Sequence, residues 1–202
     1  MPDTGAPHFI PFADPTDLVR DWPALSEDVA EQVALGLDAA GNAGIGSNVV
    51  QTVKTDVFSA SVARGDFSGD VTGLTVTITP SSATSKVLVL VTISAGRTFP
   101  DGAPVAVTLF RDSSASTFIG DADGSRQRIS TPTGSVAETG GANAAIQFLD
   151  SPETTSPVVY SLRLSHNSVS TLTLFVNRSD NDADSDQRMR SASSITAIEV
   201  AA

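Results

Sequence analysis

From Leu74 to the C-terminus the chain is built of short apolar stretches separated by turn residues. LTVTIT (Leu74 to Thr79) alternates Leu, Val and Ile with Thr, the period-two pattern of a strand with one buried face. KVLVLVTIS (Lys86 to Ser94) is apolar on both faces. That suits a central strand, or a strand whose second face meets a neighbouring subunit. PVAVTLFRD, AAIQFLD, PVVYSLRLS, STLTLFVN and SSITAIEV continue the series. PSSATS, PDGAP, DADGS, DSPETTSP and SDNDADSD lie between them, all with turn chemistry. At least eight short strands at regular spacing predict a mainly β fold, an antiparallel β-sandwich of jelly-roll kind. The abundant Thr and Ser keep the solvent-facing strand positions extended without adding charge.

The first 48 residues have a different texture. Up to Pro23 they are proline-rich and predict an extended arm. Ser26 then reads as a helix N-cap, with Glu27 and Asp28 in the first turn where the helix dipole favours anions. Val29, Val33 and Leu37 follow at a spacing of four, and Gly41 suits the residue after the helix end. A helix of about four turns with so narrow a stripe is marginal alone and needs a partner. GNAGIGSN (Gly41 to Asn48) reads as a linker, so the predicted organisation is an arm, helix and linker over 1–48 and a β-sandwich over 49–202.

Charge follows the same division. Residues 1–48 hold eight acids and one base, and the whole chain has a net charge of -11. Such acidity argues against nucleic acid and against an anionic membrane surface as partners. The longest aliphatic run, Val87 to Val91, is far short of the roughly 20 residues of a membrane helix. No basic segment followed by an apolar run opens the chain, so a soluble protein without a secretion signal is expected.

Candidate chemistry is sparse. Cysteine is absent, and His8 and His166 are the only histidines. Neither lies in a nucleophile or metal-ligand pattern, no carboxylate pair has glycosidase context, and no phosphate-binding glycine loop opens a helix. No catalytic residue and no cofactor are therefore expected. The acidic run NRSDNDADSDQR places Asp180, Asp182, Asp184 and Asp186 at alternate positions. It departs from an EF-hand, with Ser185 at the glycine position and Ser191 where a bidentate Glu belongs. A weakly held calcium is one reading; a solvated hairpin tip, neutralised by Arg178, Arg188 and Arg190, is the other. Asn177-Arg178-Ser179 is also a formal glycosylation sequon.

Several stretches resemble a known family. PFADPTDLVRDWPALSEDVAEQV, VVQTVKTDVFS, FLDSPETTSPVVYSLRL and the terminal SSITAIEV are similar to virion fibre proteins of tailed bacteriophages, the tail fibres and minor structural proteins. The resemblance implies a homotrimer located in the virion. Its N-terminal arm would dock on another virion protein, a short helical region would trimerise, and a β-domain would face outward toward a host-surface glycan or protein.

On that reading Phe9, Phe12, Leu18, Val19 and Trp22 anchor the arm through residues 1–40, and Val29, Val33 and Leu37 meet around the three-fold axis. The strand residues Val87, Val89, Val91 and Ile93 are candidates for a further trimer contact, and Asp180, Asp182, Asp184 and Asp186 for a receptor-facing loop. The alternatives are a capsid decoration or cement protein that uses the same arm, a cellular carbohydrate-binding module, and a glycan-degrading enzyme within a fibre. The carbohydrate module lacks the exposed aromatic platform expected of it, since the single Trp lies in the arm.

Overall fold

The computed structural model describes residues 45–98, 104–115, 117–134 and 141–201. The arm and the helix expected before residue 45, with His8, lie outside them. The chain divides into two compact units, Met1–Ala43 and Gly44–Ala202. All ten described strands belong to the second. They are β1 (Ile45–Lys54), β2 (Phe58–Val62), β3 (Thr75–Ile78), β4 (Lys86–Arg97), β5 (Ala106–Arg111), β6 (Thr131–Pro132), β7 (Ala142–Asp150), β8 (Val158–Ser165), β9 (Leu172–Val176) and β10 (Ser193–Val200). β1 starts inside the stretch expected to be linker, because Ile45 already pairs with Val200.

Two antiparallel sheets result. The larger has the order β1-β10-β4-β9-β2 with β7 on the far edge of β4, and the smaller has the order β3-β8-β5-β6. β10 pairs with the first part of β4 and β9 with its last part, so β9 and β10 lie end to end along one edge. β1 and β2 border them in the same way. The larger sheet is thus four strand-lines wide. The chain alternates between sheets, and its first and last lines are neighbours, as in a double-sheet jelly roll.

β4 explains the core. Its alternate residues Val87, Val89, Val91 and Ile93 point inward and are buried with Ile195 and Ala197 of β10 and Ile146 of β7. Val76, Ile78, Val107, Leu109, Leu162 and Leu164 of the smaller sheet complete the same cluster. Each such side chain contributes about 1.5–3 kcal/mol when fully buried. This corrects the expectation for Val87, Val89, Val91 and Ile93. They are core residues covered by the second sheet and cannot face another copy; the outward positions of the strand are Leu88, Leu90 and Thr92.

Two buried carboxylates tie parts of the domain together. Asp150, at the end of β7, accepts from the Tyr160 hydroxyl at 2.7 Å and from Arg111 Nη1 at 2.8 and 2.9 Å. Arg111 and Tyr160 are paired neighbours on β5 and β8, so the contact clamps the smaller sheet to the larger one. Burial, then the adjacent carboxylate, push the Tyr160 phenol well above its ordinary value, so it stays a donor at any physiological pH.

Glu199 of β10 accepts from the Ser81 backbone N–H at 2.7 Å and its hydroxyl at 2.5 Å, fastening the turn that leads into β4. Burial raises the Glu199 carboxyl. The hydroxyls of Ser81 and Ser85 and the backbone N–H groups of Ser81 and Ser82 together outweigh it and hold the group below its ordinary value.

Breaking one partner of a buried ion pair costs about 3–5 kcal/mol. Asp150→Ala should therefore lower the unfolding free energy by that order, and Tyr160→Phe by about 1–2 kcal/mol. Urea unfolding followed by circular dichroism checks both, and an unchanged Asp150→Ala midpoint would refute the clamp. Glu199 sets a pH dependence. A carboxyl held low in the folded state stabilises the fold above its unfolded value and loses that contribution as pH falls through the folded one. Urea midpoints should decline below the ordinary Glu value of 4.5, and less steeply in Glu199→Gln.

Candidate functional site

Strand pairing places the outward side chains of the larger sheet in rows that run across four strands. One row is Val49, Ile198, Leu88 and Leu149. The next is Gln51, Thr196, Leu90 and Gln147, and the third is Val53, Ser194, Thr92 and Ala145. None of these side chains is charged. Lys86, paired with Val200 at the rim, is the first charge met. Val49, Val53 and Leu149 are 56%, 54% and 54% exposed, which makes this face the richest in exposed aliphatic surface among the described residues. Gln51 Nε2 donates to Thr196 Oγ1 at 2.9 Å, so even the polar row is tied down within the face.

The other outer face contrasts with it. On the smaller sheet Arg163 lies over the Phe110 ring at 4.2 Å and donates to Asp70 at 2.7 Å, while Phe67 packs edge-on against Phe110. That face carries the Arg163–Asp70 pair, and the Phe67 ring packs on it from the segment that borders β8.

The acidic run sits at the far end of the uncharged face. β9 and β10 do not pair with each other, so residues 177–192 are not a hairpin tip, as one reading of the run expected. They are an excursion that leaves a strand-line at Val176 and rejoins the same line at Ser193, because both strands share one edge of β4.

Asn177 holds the exit point. It is fully buried with φ of 62°, a left-handed conformation that Asn tolerates. Its Nδ2 donates to the Lys54 and Asp56 carbonyls at 2.8 and 3.2 Å, and its Oδ1 accepts from Ser193 at 2.6 Å. The sequon asparagine is therefore enclosed, and its amide is committed to the fold.

Within the excursion the arginines meet the aspartates. Arg188 pairs with Asp180 at 2.5 Å and Arg190 with Asp182 at 2.8 Å. Arg178 donates to the Asp180 carbonyl at 3.0 Å and spreads over the Phe175 ring at 4.8 Å. Phe175 points out of the sheet, yet it is buried beneath this arginine and against Gly96, where a Cβ would fall 2.4 Å from the ring. The loop is thus an ionic brace that seals the last outward aromatic of the sheet. Asp184 and Asp186 remain exposed. Among the described residues, no three carboxylate or imidazole groups gather into a metal-holding cluster.

His166 follows the end of β8 and is buried. The Ser168 backbone N–H donates to its Nδ1 at 3.1 Å, so Nε2 carries the proton and donates to the Val62 carbonyl at 2.9 Å. Both nitrogens serve the fold. The cavity beside it, about 350 Å³, is open and lined mostly by apolar groups such as Pro104, Ile129 and Pro132.

The expected arm residues Phe9, Phe12, Leu18, Val19 and Trp22, and the helix residues Val29, Val33 and Leu37, fall outside the described residues. The uncharged face itself was not singled out by sequence reasoning. Its signal is present in KVLVLV, where leucines alternate with the inward valines, and in the uncharged outward positions of AAIQFLD and SSITAIEV. The chain matches no family model and no curated protein.

Asn177→Ala should cost about 2–4 kcal/mol, since it removes a donor from two carbonyls and the acceptor of the buried Ser193 hydroxyl. Asp184→Asn and Asp186→Asn should stay within about 0.5 kcal/mol of the parent. Thermal unfolding of the three variants tests the brace; equal effects from all three would contradict it.

Proposed function

We propose that the protein is a structural component of a tailed bacteriophage particle, a short homotrimeric fibre or spike without catalytic activity. Residues 1–40 dock on another virion protein through Phe9, Phe12, Leu18, Val19 and Trp22. Val29, Val33 and Leu37 meet around the three-fold axis, and the β-domain is presented to the host surface. The exposed part of the acidic excursion, with Asp184 and Asp186, is then available to a host glycan or protein. Many weak contacts of this kind, multiplied by three copies and by the number of fibres, give useful avidity.

The observation that carries the reading is the uncharged, aliphatic outer face of the larger sheet. An uncharged face with one wholly aliphatic row, Val49, Ile198, Leu88 and Leu149, on a chain of net charge -11 supports contact with protein rather than solvent. The resemblance to phage fibre proteins supports the particle in which that contact is made.

Light scattering of the full chain, with and without EDTA, tests the assembly. The expected mass is three times the 20.7 kDa chain and is unchanged by EDTA. A chain starting at Gly44 should associate more weakly. A single-chain mass under every condition would overturn the fibre and favour the capsid decoration protein, which would bind capsid subunits through the same arm.

A further inference from the structure

We infer that the uncharged face of the larger sheet seats the same face of further copies of this chain. The inference rests on the self-assembling reading above and deepens it by naming the contact: Leu88, Leu90, Leu149, Val49 and Ile198.

The first argument is the kind of polar group present. A contact around a symmetry axis brings like residues close to one another. Like charges would repel there, and a carboxylate cannot donate to its own copy. Amides and hydroxyls can do both, since each donates and accepts. The polar residues of this face, Gln51, Thr92, Gln147, Ser194 and Thr196, are all of that type. A surface evolved for a different partner has no such restriction, because opposite charges can be divided between the two sides. The restriction is local to this face, since the opposite outer face holds the Arg163–Asp70 pair.

The second argument is overall charge. Copies carrying -11 each repel at long range, so they associate best through the part of the surface that contributes none of that charge. The rows meet this condition across the full width of the sheet, and Lys86 at the rim is a cation rather than another acid.

The third argument is size. With strands ~4.8 Å apart and outward residues ~6.8 Å apart along each strand, four strands and the three rows span roughly 400 Å². That is about half of what one partner contributes to a standard interface. The contact is therefore weak between isolated domains and becomes firm when copies are tethered elsewhere. Residues 1–43 are the part of the chain left to do so.

The test uses the full chain and two kinds of variant. Leu88→Glu/Leu149→Glu puts like charges into the contact and should weaken assembly at least about a hundredfold, with an unchanged circular dichroism spectrum. If the wild type is oligomeric and this folded variant dissociates at a protein concentration at least about a hundredfold higher, the inference holds. If both are equally oligomeric, the face inference is overturned while the assembly reading stands; this is also the outcome if residues 1–43 or another virion protein occupy the face. If the wild type is itself a monomer, both fail.

Because the native chain has no cysteine, a second measurement remains should the double variant not fold. Gln147→Cys should cross-link between copies under mild oxidation or with a short bis-maleimide. Thr77→Cys, on the exposed side of β3, should not. Equal yields from the two positions would overturn the inference.

Discussion

β4 is hydrogen-bonded along both edges, to β7 on one side and to β10 and then β9 on the other. A strand held in this way cannot rotate or slip without breaking two ladders, so its residues are committed to two opposite faces. Val87, Val89, Val91 and Ile93 go inward and join the sandwich core; Leu88, Leu90 and Thr92 go outward. The neighbouring strands inherit the same division through their register. The jelly-roll core and the uncharged outer face are therefore two consequences of one pairing constraint, and a change of register by one residue would exchange them.

Asp150 and Glu199 are buried, while twelve outward positions of the larger sheet are neutral. Each buried carboxylate is tolerated because it is fully engaged: Asp150 by Arg111 and Tyr160, Glu199 by the serine-rich turn before β4. Both contacts act across elements distant in sequence, so they secure the architecture rather than any local turn. The acidic excursion follows the same logic. Asp180 and Asp182 face arginines, and one of those arginines closes over Phe175. The brace covers one end of the outer face and leaves the uncharged rows beyond it open.

Together these features describe a domain whose stability is internal and whose larger sheet presents a broad, neutral outer face among the described residues. A broad neutral sheet face suits another protein better than a small molecule, whose sites are concave. The fibre reading uses that face for assembly and the charged loop edge for the outside. The two ring nitrogens of His166 are spent on the Val62 carbonyl and the Ser168 amide.

Much of this fold was legible in the sequence because strand formation leaves a local trace. Period two in LTVTIT, the continuous run in KVLVLVTIS and the turn clusters between them depend only on near neighbours, and each expected stretch contains a strand. Arginine neutralisation of the aspartate run was also readable, since both partners are close in the chain.

Which face of a strand is covered has no local trace when both faces are apolar. The valines of β4 and its leucines are equally good core residues by type, and only the position of the second sheet decided between them. The excursion at residues 177–192 reads as a hairpin because adjacent strands joined by turn residues usually pair; sharing one edge of β4 is a property of the whole sheet. Asp150 reads as a turn former until Tyr160 and Arg111 are brought to it from the other sheet. The sequence by itself determined the strands, the turns and the charge balance, all short-range matters. Only the tertiary structure decided burial, orientation and the uncharged face, because those depend on which distant segments lie alongside.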